Sequence, residues 1–400
     1  MTKGIGGSSA AIELAGIVPW PDRAAPISAS ERQMRLDQAR HLTAAMGADA
    51  LLVNAGTSLD YFAGISWGAS ERLVALVLPR DGNPIIVCPA FEQGSLEAEL
   101  RITADLRLWE EDVDPYALVV DVLRQIGGTT LALDPAASFA IHTGLKQTGA
   151  NIDIRDATSV IDGCRSCKSP AELALMQQAK SMTLDVHRRV ARILASGITT
   201  TEVKRFIDQA HRAIGADNGS TFCIVQFGRA TAYPHGLPGE QRLQEGDMVL
   251  IDTGCRVQGY HSDITRSYVF GAPSAEQRQI WALEQEAQQA AFDAVKPGAP
   301  CHVADDAARA VLAKAGLGPD YRLPGLPHRT GHGIGLAIHE APYLVRGNRT
   351  PLAPGMCFSN EPMIVIPDRF GIRLEDHFHV TETGAAWFTQ PSPSIDAPFG

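Results

Sequence analysis

Short apolar runs recur between residues 50 and 157: "ALLV" (50–53), "LVALVLP" (73–79), "PIIVCP" (84–89), "DLRLWE" (105–110), "TTLALDP" (129–135) and "NIDIRDA" (151–157). Stretches of helical spacing separate them, and Ser28-x-x-Glu31 is a capping-box signature that opens a helix to about Met46. This alternation predicts an α/β domain over residues 28–160.

Beyond it the period changes. Ser169-Pro170-Ala171-Glu172 places a capping box and a first-turn proline at the head of a helix that Gly197 stops at about Ser196. Thr199-x-x-Glu202 caps a second helix to about Gly215, and strand-like segments occupy 221–227 and 247–270. Ser274-x-x-Gln277 opens a third helix, "VADDAARAVLAKAGLG" forms a fourth, and further strand-like segments follow. Helix pair and strands thus occur twice, which predicts an α+β domain over 161–400 with a weak pseudo-twofold duplication. Residues 1–27, rich in Gly, Ser and Pro, are expected to form a loosely attached arm.

Composition narrows the classes. Hydrophobic content of 45% and charged content of 20% describe a globular chain, and no apolar run reaches the ~18 residues of a membrane helix. A net charge of −10 argues against nucleic acid or an anionic membrane as partner. The first residues make a poor signal peptide, and seven scattered cysteines are expected as free thiols in a reducing cytoplasm. Cys164-x-x-Cys167 lacks the second pair or thioredoxin-like context that a zinc or redox site needs.

Chemistry enters at "DMVLIDTGCRVQGYHSDITRSY", residues 247–268, where a buried-looking strand runs straight into Asp252. A two-residue turn at Gln258-Gly259 pairs Val257 with Tyr260, sets Asp252 opposite Thr265 and puts Asp263 diagonally from Asp252 on one face. A three-residue loop would send the two acids to opposite faces. Two convergent carboxylates repel by about 4 kcal/mol at ~4 Å, so one takes a proton or a cation sits between them. The plain alternative is that both acids cap loops at a wet sheet edge.

"PHRTGHGIGLAIHE" brings His328, His332 and His339 together with Gly331, Gly333 and Gly335, whose missing side chains would let the backbone approach whatever the histidines hold. "SNEPM" sets Glu361 ahead of a strand-like "MIVI". "GIRLEDHFHV" alternates, with Ile372, Leu374, Phe378 and Val380 on one face and Arg373, Glu375, His377 and His379 on the other; Asp376 alone breaks the apolar face. For Glu375 an ion pair with Arg373 is the plain reading, and for His235 in "YPHGLPGE" a turn position.

Taken together, "PHG", "IDTG…HSD", "GHGIG…HE", "NEPM" and "GIRLED" resemble, in order and over about 235–376, the pita-bread metallopeptidases: methionine aminopeptidase, aminopeptidase P and prolidase. The two-domain layout resembles prolidase and aminopeptidase P more than methionine aminopeptidase; "GHGIG" and "EPM" are closer to the methionine aminopeptidase wording, and "GIRLED" and the "CRSCKSPAELALM" linker resemble prolidases. The resemblance implies an α/β prolidase-like N-terminal domain followed by a pita-bread catalytic domain. It makes Asp252, Asp263, His332, Glu361 and Glu375 the ligands of two divalent metal ions, with Asp263 and Glu375 bridging. Mn²⁺ comes first among the ions these donors suit, with Co²⁺, Zn²⁺ and Fe²⁺ also compatible. It further implies hydrolysis of Xaa-Pro dipeptides by a hydroxide shared between the ions, with Glu361 moving the proton. His235, His328 and His339 would contact substrate and stabilise the oxyanion, and Arg373 would hold a ligand carboxylate. A homodimer is implied, since the α/β domain of such enzymes often packs over a partner's active site. Val365 departs from the pattern, standing where prolidases often carry tyrosine. The alternatives are aminopeptidase P activity on longer peptides, a non-peptidase hydrolase or lyase, and a metal-free binding protein on the same scaffold.

Overall fold

The computed structural model describes residues 2–400, which divide into two units: Ile27–Arg165, and residues 2–26 joined with Ser166–Gly400. α1 (Ala10–Ala15) belongs to the second unit, discussed below.

The Ile27–Arg165 unit runs α2 (Ala29–Ala45), β1 (Ala50–Asn54), α3 (Thr57–Ala63), β2 (Ala75–Pro79), β3 (Ile85–Pro89), α4 (Gln93–Glu99), β4 (Asp105–Trp109), α5 (Pro115–Gln125), β5 (Thr130–Leu133), α6 (Phe139–Thr148), β6 (Asp153–Asp156) and α7 (Thr158–Arg165). Its six strands form one mixed sheet in the order β4-β3-β2-β1-β5-β6. β1, β2 and β3 are buried on both faces, which is why their sequences read as unbroken apolar runs. The stripe Val119, Val122 and Leu123 of α5 and Ile141 and Leu145 of α6 pack into the core on this sheet. Each predicted strand is present. The unit ends at Arg165 and not at 160, because α7 continues with buried Ile161 and Cys164.

The other unit continues with α8 (Pro170–Ile193), α9 (Thr200–Ile214), β7 (Ser220–Phe227), β8 (Met248–Val257), β9 (Tyr260–His261), β10 (Ile264–Val269), α10 (Ala275–Asp293), α11 (His302–Lys314), β11 (Gly331–Gly333), β12 (Glu340–Leu344), β13 (Cys357–Asn360), β14 (Met363–Ile366), β15 (Phe370–Arg373), β16 (Asp376–Val380) and β17 (Ala385–Trp387). Reciprocal capping boxes start α8, α9 and α10 at Ser169, Thr199 and Ser274. α9 closes on Gly215 at φ 94°, a conformation that suits glycine. α8 ends three residues before the expected Ser196, its last turn giving way to an extended Leu194.

Two sheets carry the site: β10-β8-β7, with β9 paired to β8, and β12-β11-β13-β16-β17. α8 and α9 share a core with the first sheet, through Val186, Val190, Phe206, Ile207, Val249 and Ile251. α10 and α11 share another with the second, through Trp281, Ala287, Ala308, Phe358 and Phe378. Helix pair over strands therefore occurs twice, as the duplication predicts.

Two expectations need correction. The first residues are not a loose arm: Ile5, Leu14 and Ile17 pack on the α8–α9 core. Backbone bonds from Gly6 N to Ala191 O (2.9 Å) and Trp20 N to Ile214 O (2.9 Å) tie the segment down. Glycine and proline there shape a path across a surface. The Ile372–Val380 run is not one strand either. It breaks between Arg373 and Asp376, so that β15 pairs with β14 and β16 with β13. At the break Glu375 bridges to Thr265 of β10, its N–H bonding Thr265 O at 3.1 Å. Among the described residues no helix is long and apolar enough to cross a membrane.

Candidate active site

The β8–β9–β10 hairpin has the register read from its turn. Val257 pairs with Tyr260 and Asp252 with Thr265, around Gln258 and Gly259 at φ 50° and 81°. That register brings Asp252 and Asp263 to one place. The break between β15 and β16 delivers Glu375 to the same point, and ligand oxygens of Asp252, Asp263 and Glu375 lie within 4.8 Å of one another. His332 comes from β11 and Glu361 from the bend between β13 and β14; both join Glu375 in a second cluster within the same 4.8 Å limit. His332 Nε2 is 3.1 Å from Glu361 Oε1 and 3.7 Å from Asp263 Oδ2.

The glycines around His332 have a different purpose from the one expected. A Cβ on Gly331 would lie 2.1 Å from Ser359 O and one on Gly333 2.4 Å from Glu340 O. β11 is squeezed between β12 and β13, so the close approach is to neighbouring backbone and not to a ligand of the histidines.

The electrostatics are those of a site built around cations. Burial pushes the carboxyls of Asp252, Asp263 and Glu375 above the usual range, and for Asp263 and Glu375 the neighbouring carboxylates push further. One oxygen of each, Asp252 Oδ1, Asp263 Oδ1 and Glu375 Oε1, is buried without a hydrogen-bond donor among the described residues. Their other oxygens are not all so placed: Thr265 Oγ1 donates to Glu375 Oε2 at 2.6 Å, and Arg373 Nη2 donates to Asp252 Oδ2. His332 Nδ1 faces Gly333 O at 3.0 Å, so the Nδ1–H tautomer leaves the Nε2 lone pair directed at the carboxylates. Buried acceptors aimed at one point, with an imidazole lone pair beside them, fit divalent cations.

Burial opposes ionisation of Glu361, but when no cation is bound a His332 that donates Nε2–H to it, together with the charge of Arg373, holds its carboxyl well below the usual range; the neutral form of His332 is the one suited to a cation. Arg373 does not pair with Glu375. It bonds Asp252 and, through Nε, Thr265 Oγ1 at 3.1 Å, and despite burial the surrounding carboxylates keep it firmly charged.

All five proposed ligands line one cavity of about 540 Å³, together with His235, His328, His339 and Arg373. Burial pushes the His328 imidazole down and His339 down to about 4, so both are neutral near pH 7. His328 Nδ1 faces Arg329 O at 2.7 Å, and the His339 ring packs edge-on to His332 at 4.1 Å. Phe222, Ile224, Pro234 and Ile338 supply an apolar wall. Val365, on β14, is buried in the core and does not line the cavity. Thr265 and Arg266 had gone without a role. Thr265 was visible only as the cross-strand partner of Asp252, and nothing local marked Arg266, which is buried against Asp376 at 2.7 Å.

An α/β unit ahead of a duplicated helix-pair and strand unit, with four acids and one histidine gathered in its cleft, defines a metallopeptidase of the pita-bread fold. Residues 174–382 match metallopeptidase family M24 and residues 35–167 the creatinase/prolidase N-terminal domain; the chain belongs to family M24. It is 39% identical over 355 residues to a probable dipeptidase PepE of Mycobacterium bovis, covering 88% of this chain and 92% of that one. It is 34% identical to an Xaa-Pro dipeptidase of Lactobacillus helveticus, covering 90% and 98%. The crystal structure of dipeptidase PepE from Mycobacterium ulcerans superposes with a TM-score of 0.83 at 38% identity, covering 92% of this chain and 97% of that one.

Proposed function

We propose that this enzyme hydrolyses Xaa-Pro dipeptides, using two divalent cations, Mn²⁺ first. Asp252, Asp263 and Glu375 would hold one cation, and His332, Glu361, Asp263 and Glu375 the other. The observation that carries the reading is the set of donorless buried oxygens of Asp252, Asp263 and Glu375, converging beside His332 and Glu361 in a single cavity. When bound, such a pair of cations supplies Lewis acidity and lowers the pKa of water at the site toward 7.

The chain's own groups supply the rest. Glu361, ionised at neutral pH, accepts the proton of the attacking water and delivers it to the leaving nitrogen. Arg373 fixes Asp252 in place. His328, with Nδ1 engaged by Arg329 O, presents Nε2 to the cavity as an acceptor for a substrate N–H. His339 and His235 stand on the cavity wall, where an N–H can meet the oxyanion that develops at the scissile carbonyl. The apolar wall suits a pyrrolidine ring. An X-Pro bond offers no N–H for a protease that relies on backbone pairing, so a site that polarises the carbonyl directly is the apt solution.

The test is turnover by metal-stripped protein resupplied with Mn²⁺, on Xaa-Pro dipeptides, Xaa-Pro-Xaa tripeptides and dipeptides without proline. Cleavage of the Xaa-Pro dipeptide alone is the expected result. Cleavage of the tripeptide alone replaces it with aminopeptidase P activity, and equal cleavage of both dipeptides makes the enzyme a general dipeptidase.

A further inference from the structure

Asp376 is the one polar residue on the apolar face of the Ile372–Val380 run, and the chemistry above has no use for it. It is fully buried, and so are Arg266 and Gln288, which bond its carboxylate together with Thr389 Oγ1 at 3.3 Å. Gln288, on α10, directs Nε2 at three oxygens: Leu374 O at 3.0 Å, Asn360 O at 3.2 Å and Asp376 Oδ2 at 3.3 Å. Asn360 returns a bond from Nδ2 to Gln288 O at 2.8 Å. Asn360 immediately precedes Glu361, and Leu374 immediately precedes Glu375. One amide thus ties together the two backbone segments that carry these acids.

Asp376 sets which way that amide faces. Its carboxylate accepts from Arg266 Nη2 at 2.7 Å and Nη1 at 3.2 Å, and it can only accept from Gln288, so the nitrogen end of the amide must point inward. Arg266 Nη1 also bonds Glu375 O at 2.9 Å.

We infer that Gln288, oriented by Asp376 and Arg266, is a positioning residue that sets the separation of Glu361 from Glu375. The inference rests on the two-cation reading. Glu375 keeps independent anchors on β10, through Thr265 and Arg266, when Gln288 is removed. The Asn360–Glu361 segment keeps Glu361 N to Thr330 O at 2.8 Å and Ser359 Oγ to Glu361 Oε1 at 3.1 Å, but loses its side-chain tie to Leu374, the one that fixes it relative to Glu375. Removal is therefore felt at the cation position that includes Glu361 and His332, and not at the one formed by Asp252, Asp263 and Glu375.

Calorimetric titration of metal-stripped protein with Mn²⁺ reads both positions without using activity. Gln288→Met removes the donors at similar volume. It is expected to weaken one of two binding events about tenfold and to leave the other within about twofold, as loss of an outer hydrogen bond typically does. Gln285→Met is the control, since Gln285 lies on the same helix but donates only to Ser392 O and Pro393 O, and both events should be unchanged. Asp376→Asn sets an NH2 against the donors of Arg266 and so loosens the acceptor that orients the Gln288 amide; it has the same expected outcome and decides the matter if Gln288→Met fails to fold. Two events in the wild type, with both unchanged or both weakened equally in the variants, overturn the positioning role and leave the two-cation reading intact. No Mn²⁺ uptake by the wild type overturns both.

Discussion

In the half of the catalytic unit built on α8 and α9, Asp252 and Asp263 come from a single hairpin. In the half built on α10 and α11, His332, Glu361 and Glu375 come from three separate places: β11, the bend after β13 and the break before β16. Both halves nevertheless brace their acids from the first long helix. His187 of α8 bonds Ile264 O, next to Asp263, at 2.9 Å; Gln288 of α10 bonds Leu374 O, next to Glu375, at 3.0 Å. The first half holds its acids by local register. The second must assemble them, and needs a denser buried network to do so.

The largest effects test how the halves share the centre. Asp263 belongs to the cluster with Asp252 and Glu375 and also to one with His332 and His339, whereas Glu361 belongs to one cluster only. Asp263→Asn should remove both cations and Glu361→Gln one, as counted by elemental analysis, and each should cut kcat by about 10³-fold or more. A Glu361→Gln protein stripped of both ions would show that the halves do not hold separate positions.

Next come the two glycines that let backbones cross. A Cβ at Gly254, in the first half, would lie 1.9 Å from Ser262 O; one at Gly331, in the second, 2.1 Å from Ser359 O. Neither obstacle is a side chain that can swing away. Gly254→Ala and Gly331→Ala should each cost about 3 kcal/mol in urea unfolding. A cost near zero at Gly331 would mean that the assembled half is the looser of the two.

The contrast also explains what could be read from the chain. The hairpin was legible because a two-residue turn fixes every partner on it, and the capping boxes were legible because their residues are neighbours in sequence. The break at Leu374 was not. An unbroken alternation from Ile372 to Val380 carries no sign that Glu375 must reach across to Thr265, since the cause lies on β10. The seat of residues 2–26 was hidden for the same reason: Ile5, Leu14 and Ile17 are spaced for the surface of α8 and α9, not for any period of their own. The five residues that meet in the cavity were legible through motif order, while their bracing by Thr265, Arg266 and Gln288 was not, because each acts through a residue distant in sequence.

A smaller effect separates the two braces by pH. Burial pushes His187 down to about 3 and His211 down to about 4, against ~6.5 in the unfolded chain. Between those values the unfolded state binds protons that the folded state does not, so stability is full above about pH 6.5 and falls as the pH drops from there toward 4. His187→Gln gives the first half the second half's brace, an amide able to donate to Ile264 O. In metal-free protein it should flatten the acid-side fall in the urea midpoint by about one proton. An unchanged slope would remove His187 as a source of acid sensitivity.

The smallest effects lie where the halves meet, and they depend on burial and not on charge. Gly371 of β15 donates to Thr231 Oγ1 at 3.0 Å, and that hydroxyl donates to Gly228 O at 2.7 Å; Thr231 and Gly371 are buried and Gly228 half-buried. Close by, Arg229 and Asp368 form an exposed ion pair at 3.6 Å across the same boundary. Thr231→Val keeps the shape but removes the acceptor, and should cost about 1–2 kcal/mol. Asp368→Asn removes the ion pair from solvent-exposed ends and should leave Tm unchanged, because water and salt already screen it. If the order were reversed, with Asp368→Asn the costlier change, surface charge and not the buried hydroxyl would join the hairpin half to the assembled half.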